Sequence, residues 1–181
     1  DKGYHLLYSV VAPIDLYDEI DLELTEDNKI ILTCDDEKIP TGELRSVEGT
    51  PFDFRTPKTV RRDFDLTNED LRIGGGYDHC LNFTGGETKE SVCRATLYCD
   101  KTGIEMKTLT NMPCVQLYSS GGVRNAAFPL KGGYPQSPES FICLETQKMP
   151  DSINQPHFTN VVLRPGEVYD YTTVYAFRVR K

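Results

Sequence analysis

The chain reads as an all-β protein, a sandwich or a barrel of short strands. Three observations predict this. Apolar and polar residues alternate, as in Ile20, Leu22 and Leu24 against Asp21, Glu23 and Thr25, which is the period of a strand with one wet face. Gly and Pro cluster between such runs, at Thr50-Pro51, Gly74-Gly75-Gly76, Gly85-Gly86, Gly121-Gly122 and Gly132-Gly133. Helical periodicity is almost absent, with one turn at most expected over Asn68–Leu71. Many short strands between Gly/Pro turns make a sandwich or a barrel.

The elements follow in order. Ile20–Leu24 and Lys29–Cys34 are apolar runs separated by the turn residues Glu26-Asp27-Asn28, which suggests a hairpin. Thr56–Asp70 is charged and reads as a surface connection. Ser91–Cys99 and Ile104–Thr110 flank Asp100-Lys101-Thr102-Gly103 and form a second expected hairpin. Further strands are expected at Cys114–Tyr118, Phe141–Thr146, Asn160–Arg164 and Tyr171–Val179. No internal repeat interrupts this order, and residues 1–181 read as a single domain.

Composition narrows the function classes. A net charge of −8 over 181 residues, without a basic cluster, argues against nucleic acid and against anionic membranes. The longest apolar stretch, Tyr4–Ile14, is short of the about 20 residues a membrane helix needs. No basic leader marks it as a signal peptide. Six cysteines without a CxxC pair permit disulfides but do not demand them, and Cys93 and Cys143 lie in apolar runs that suit buried free thiols. Asn82-Phe83-Thr84 is a glycosylation sequon. These last features fit a secreted protein. Neither an HExxH nor paired Cys/His spacing suggests a metal, and no nucleotide-binding glycine pattern implies a cofactor.

The most informative stretch is Phe141-Ile142-Cys143-Leu144-Glu145-Thr146-Gln147, followed by Pro150-Asp151 and Asn154-Gln155-Pro156. It sets a carboxylate inside an apolar strand, where a charge is costly unless paired, solvated or used. In a strand, Phe141, Cys143, Glu145 and Gln147 share one face and Ile142, Leu144 and Thr146 the other. One face can then aim Glu145 into a concave site while the other packs on the core. An ion-paired or strand-edge Glu is the plain alternative.

These residues carry a resemblance. The Glu145 segment, Ile39-Pro40-Thr41-Gly42-Glu43 with Gly49-Thr50-Pro51-Phe52-Asp53-Phe54-Arg55, Gly76-Tyr77-Asp78-His79, Val115-Gln116-Leu117-Tyr118, and Leu163-Arg164-Pro165-Gly166-Glu167 with Tyr171-Thr172-Thr173 are similar to motifs of the aldose 1-epimerases, the galactose mutarotase family. Their order and approximate spacing hold from about residue 15 onward. The resemblance implies that family's large twisted antiparallel β-sandwich. Its members run to roughly twice this length, so the chain resembles their C-terminal half. Either a companion chain supplies the N-terminal half, or the sandwich is rebuilt smaller, or the chain is an excised piece.

The resemblance also implies roles. Glu145 stands where the family keeps its general base. Asp78, otherwise a turn-capping aspartate, becomes a sugar ligand, and so does Gln116, otherwise a half-buried strand residue. The family's acid lies on an NH[ST]YFNL motif near the region of Tyr4-His5-Leu6-Leu7-Tyr8. His5 is therefore the candidate acid, although Tyr4 replaces the Asn and the YFNL tail is missing. His79 is expected to support its turn, and His157 to be solvated. The implied reaction interconverts the α and β anomers of a hexose such as galactose or glucose, with neither metal nor cofactor. The altered surroundings of His5, Cys80 beside the Asp78-His79 pair and the many cysteines motivate a rival, a non-catalytic carbohydrate-binding or structural descendant. The family's familiar members are cytosolic, against the secreted features above.

Overall fold

In a computed structural model, residues 20–24, 30–35, 40–123, 128–129, 132–133 and 137–180 are described, with backbone alone at 20–24 and 30–32. Among them, two five-stranded antiparallel sheets face one another. The strands are β1 (Ile20–Leu24), β2 (Ile30–Cys34), β3 (Pro40–Arg45), β4 (Lys58–Thr59), β5 (Asp78–Asn82), β6 (Val92–Cys99), β7 (Ile104–Thr110), β8 (Cys114–Tyr118), β9 (Cys143–Gln147) and β10 (Thr173–Val179), with the helix α1 (Glu69–Gly74) before β5. One sheet runs β10-β7-β6-β1-β4 and the other β3-β2-β5-β8-β9. The all-β sandwich read from the sequence is the observed architecture.

Local chemistry accounts for several elements. β6 and β7 pair as the expected hairpin, with Gly103 at φ 71 in the turn. The expected turn over Asn68–Leu71 extends into α1, where the Asn68 side chain accepts a bond from the Leu71 N–H as an N-cap and Gly75 ends the helix in a left-handed conformation.

Three expectations are corrected. β1 and β2 do not form a hairpin: β1 pairs with β4 and β6 in one sheet, and β2 with β3 and β5 in the other. Residues 160–164 are not a strand; they belong to no ladder, and Val161, Val162 and Leu163 are exposed. Thr56–Asp70 is not only a surface connection. Lys58 is buried at 3% exposure, its ammonium donating to the Pro51 carbonyl at 2.7 Å and to Asp63 at 2.6 Å over the Phe54 ring. Burial, the larger cause, pushes its pKa down, and the Asp63 partner opposes that.

The core lies between the sheets. Leu81, Val115, Leu117 and Leu144 from one sheet meet Ala95 from the other, with Leu97 and Met106 at the margin. The loop residues Phe52, Phe54 and Tyr77 close it from one end, all fully buried. Each such aromatic contributes about 1.5–3 kcal/mol by leaving water. Phe52 and Tyr77 meet edge to face with centroids 5.4 Å apart. All six cysteines are free thiols, with Cys80 and Cys114 buried and Cys93 and Cys143 only half-buried. No described helix is long and apolar enough to cross a membrane.

Tyr77 yields a stability prediction. Its hydroxyl donates to the carbonyls of Pro51 at 3.1 Å and Val60 at 3.3 Å, and burial pushes the phenol pKa up, so it stays a donor. Tyr77→Phe keeps the ring and removes only that bond, so unfolding free energy should fall by about 1 kcal/mol. Urea unfolding should show a lower midpoint at unchanged slope. An unmoved midpoint would show the hydroxyl adds nothing net.

Candidate active site

The pleat decides what faces the cavity. Along β9, Leu144 points into the core at 3% exposure, and Glu145 points the other way. The same alternation on β8 buries Val115 and Leu117 and turns out Gln116 and Tyr118. On β5 it buries Leu81 in the core and turns Asp78 and Cys80 to the same side. Pairing then brings these side chains together. Glu145 lies directly across from Gln116, and Asp78 directly across from Tyr118.

The result is a cavity of about 520 Å³ over three adjacent strands, lined among others by Asp78, Gln116, Tyr118, Glu145, Gln147 and His79. That volume falls within the about 300–1,000 Å³ of small-molecule sites. Gln116 Nε2 donates to Asp78 Oδ1 at 2.8 Å, which holds both polar groups in one orientation. Glu145 remains open to solvent, as a group that must meet a ligand has to be. The cavity walls still withdraw water from it and, with the nearby Asp78 charge as the smaller cause, push its pKa up. Among the described residues no cation is paired with Glu145. Next to it, burial and then the Glu145 charge push the Cys143 thiol up to about 11.

Two loops close one end. A Cβ on Gly121 would lie 1.7 Å from the Gly75 carbonyl oxygen, and one on Gly74 would lie 2.7 Å from His79 Cε1. Only glycine permits the loop after β8 and the end of α1 to approach this closely. His79 is buried and in contact with Phe52 at 4.5 Å, and its Nδ1 accepts the Asp78 N–H at 3.0 Å. That geometry fixes the start of β5, the supporting part expected for it.

Of the sequence candidates, Glu145, Gln116 and Asp78 come together in the cavity. His5 lies outside the described residues. His157 is exposed, with Nε2 2.9 Å from the Gly42 carbonyl. Asn82 of the sequon sits half-buried at the end of β5, and its Oδ1 accepts from the Cys114 thiol at 3.3 Å. The Cys114 pKa is pushed up by its hydrogen bond with Cys80 and by burial, which keeps it a donor. Tyr118 was not singled out by sequence reasoning. Its signal is parity: two residues beyond Gln116, it must share that residue's face. Among the described residues no three metal-ligating side chains converge.

Comparison with known proteins follows the same residues. A family model described as aldose 1-epimerase matches residues 17–176. Galactose mutarotase from Bos taurus is 38% identical over 160 residues, which is 88% of this chain and 44% of that protein. The Homo sapiens galactose mutarotase is 37% identical over 159 residues, again 88% of this chain and 44% of that one. Aldose 1-epimerase from Escherichia coli K12 is 33% identical over 148 residues, 81% of this chain and 42% of its own length. Among solved structures, the GalM/aldose epimerase homologue from C. elegans superposes with a TM-score of 0.71 at 27% identity, covering 91% of this chain and 47% of that one. Galactose 1-epimerase from Lactobacillus acidophilus, with a TM-score of 0.63 at 20% identity, shows the shared fold alone. The chain spans less than half the length of each of these proteins. With a family match running from before β1 into β10 and through every strand of the cavity, this chain belongs to the aldose 1-epimerase family.

Proposed function

We propose that this chain carries the base and the sugar-contact half of an aldose 1-epimerase site. The observation that supports this reading best is the convergence of Glu145, Gln116 and Asp78 in one cavity, with Glu145 open to a ligand and its pKa raised. Anomer interconversion needs a base that takes the proton from O1 of a pyranose and an acid that protonates the ring oxygen. The C1–O5 bond then opens, C1–C2 rotates, and the ring closes on the other face. Glu145 takes the O1 proton. A carboxylate raised towards neutrality both accepts and returns a proton readily at physiological pH. Asp78 accepts from sugar hydroxyls, and Gln116 offers both donor and acceptor. Their mutual bond sets the register of the sugar before reaction. The acid comes from His5 or from the companion half. His79 has its Nδ1 engaged with the Asp78 backbone.

The ligand is a neutral hexose, such as galactose or glucose. A companion polypeptide supplying the rest of the family fold belongs to the same reading. It is supported by an apolar surface on residues outside any ladder. Leu163, Val168 and Tyr169 are 56%, 83% and 61% exposed there.

Two predictions follow from the carboxylates. Polarimetry of freshly dissolved α-sugar, with the chain and its companion half, should show Glu145→Gln slowing kcat by about 100- to 10,000-fold. Equal rates would remove Glu145 as the base, and sugar binding without any rate enhancement in the wild type would favour the carbohydrate-binding descendant. The pH dependence has a defined sign. The base acts when ionised, so kcat/KM falls as pH drops through the Glu145 pKa, which lies above that of an ordinary glutamate. Asp78→Asn removes the like charge, so this acidic limb should move to lower pH even though binding weakens. A limb that stays in place would show that Asp78 does not act on the Glu145 charge.

A further inference from the structure

Among the described residues, β9 is the last strand of its sheet and β10 the last of the other. The two edges meet through hydroxyls on the inner side of β10. The Tyr175 hydroxyl donates to the Leu144 carbonyl at 2.6 Å. The Thr173 hydroxyl is bonded to the Thr146 hydroxyl and, at 3.1 Å, to that of Thr110 on β7. Leu144 and Thr146 are the two neighbours of Glu145. Both are thus tied to β10, while the Leu144 side chain is locked in the core. β10 in turn is held along its whole length by β7, from Thr173 opposite Thr110 to Val179 opposite Ile104.

We propose that Tyr175, with Thr173, is a positioning residue for Glu145: it fixes the open edge of β9 so that the carboxylate faces Gln116 and the cavity. The inference rests on Glu145 being the base. An edge strand has one neighbour in its ladder and bends easily on the other side. β8 holds one side of β9 through the Glu145–Gln116 register. Tyr175 bonds the β9 backbone one residue before the carboxylate, and Thr173 bonds the Thr146 side chain one residue after it. Tyr175 is half-buried, and its phenol pKa is raised by burial and then by the Glu145 and Cys143 charges, so it remains a hydrogen donor while lying within the field of the carboxylate. Neither residue reaches the cavity lining, so their influence passes through the β9 backbone.

The test is Tyr175→Phe in the full chain, read by carbon-13 NMR titration of the Glu145 carboxyl and by anomer interconversion. Loss of the hydroxyl frees the edge, exposes the carboxylate further and lowers its titration midpoint towards that of an ordinary glutamate. With the companion half present, kcat falls by about ten- to a hundredfold while KM holds, as expected for misplacement of a reacting group. Tyr175→Phe/Thr173→Val deepens both effects. Val174→Ala, at an exposed position between the two, removes neither tie to β9 and leaves the titration as in wild type. An unchanged midpoint and kcat in Tyr175→Phe, or an equal shift in Val174→Ala, overturns the proposal. The titration needs no turnover, so it decides even where activity is low. If Glu145→Gln leaves the rate intact while Tyr175→Phe still moves the titration, the base assignment fails and the positioning stands.

Discussion

One carboxylate sits where the two-residue pleat of β9 puts it. Leu144 cannot leave the core without opening a cavity there, a loss of about 2–5 kcal/mol for a leucine truncated to alanine. Its neighbour must therefore project to the opposite face. A slip of one residue in the β8–β9 register would bury Glu145 among Leu117 and Val115 and expose Leu144, so the core specifies the register strongly. The chemistry of the cavity thus derives from apolar packing on the other side of the sheet. The same holds on β8, where Val115 and Leu117 lock the strand that presents Gln116 and Tyr118.

The cavity brings two like charges near one another. Asp78 and Glu145 are like charges on strands separated only by β8, and Gln116 stands between them. The amide satisfies one carboxylate with a neutral donor, which orients Asp78 without adding a positive charge. Burial and this repulsion together disfavour the ionised form of Glu145. Contrast Lys58, another charge withdrawn from water, which the fold neutralises with Asp63 at 2.6 Å. A structural charge is paired. Among the described residues Glu145 has no such cation and faces the cavity.

Much of this was legible in the sequence because it depends on local period. Parity placed Glu145 and Gln147 on one face and Leu144 on the other, and the turn Asp100–Gly103 placed the β6–β7 hairpin. What failed was partner choice. Ile20–Leu24 and Ile30–Cys34 have the alternation and the turn residues of a hairpin, yet they enter different sheets, because pairing is settled by contacts far along the chain. Val161–Leu163 has the apolarity of a strand and remains outside any ladder, since a strand exists only with a neighbour. Lys58 reads as surface because charge usually is, and only the fold shows Asp63 and the Pro51 carbonyl closing over it. The Tyr175–Leu144 contact spans 31 residues and two sheets, and no periodicity could announce it.

The edges explain how a reactive group and an open site coexist in one sandwich. Edge strands are exposed to unwanted pairing, and a further strand beside β9 would be the ordinary protection. Such a strand would continue the sheet and crowd the rim of the cavity. Here the Tyr175 hydroxyl from β10 bonds the β9 backbone at Leu144 and Thr173 bonds the Thr146 side chain, while the face that carries Glu145 stays open. The cost is that the two sheets become coupled at this margin: whatever moves β10 moves the neighbours of Glu145. β10 also carries Val174, Phe177 and Val179 with 45%, 48% and 65% of their surface exposed, an apolar margin suited to further packing. On the proposed reading, a polypeptide that packs on that margin would act on Glu145 through Tyr175 and Thr173, so that completing the fold and aligning the carboxylate would be one event.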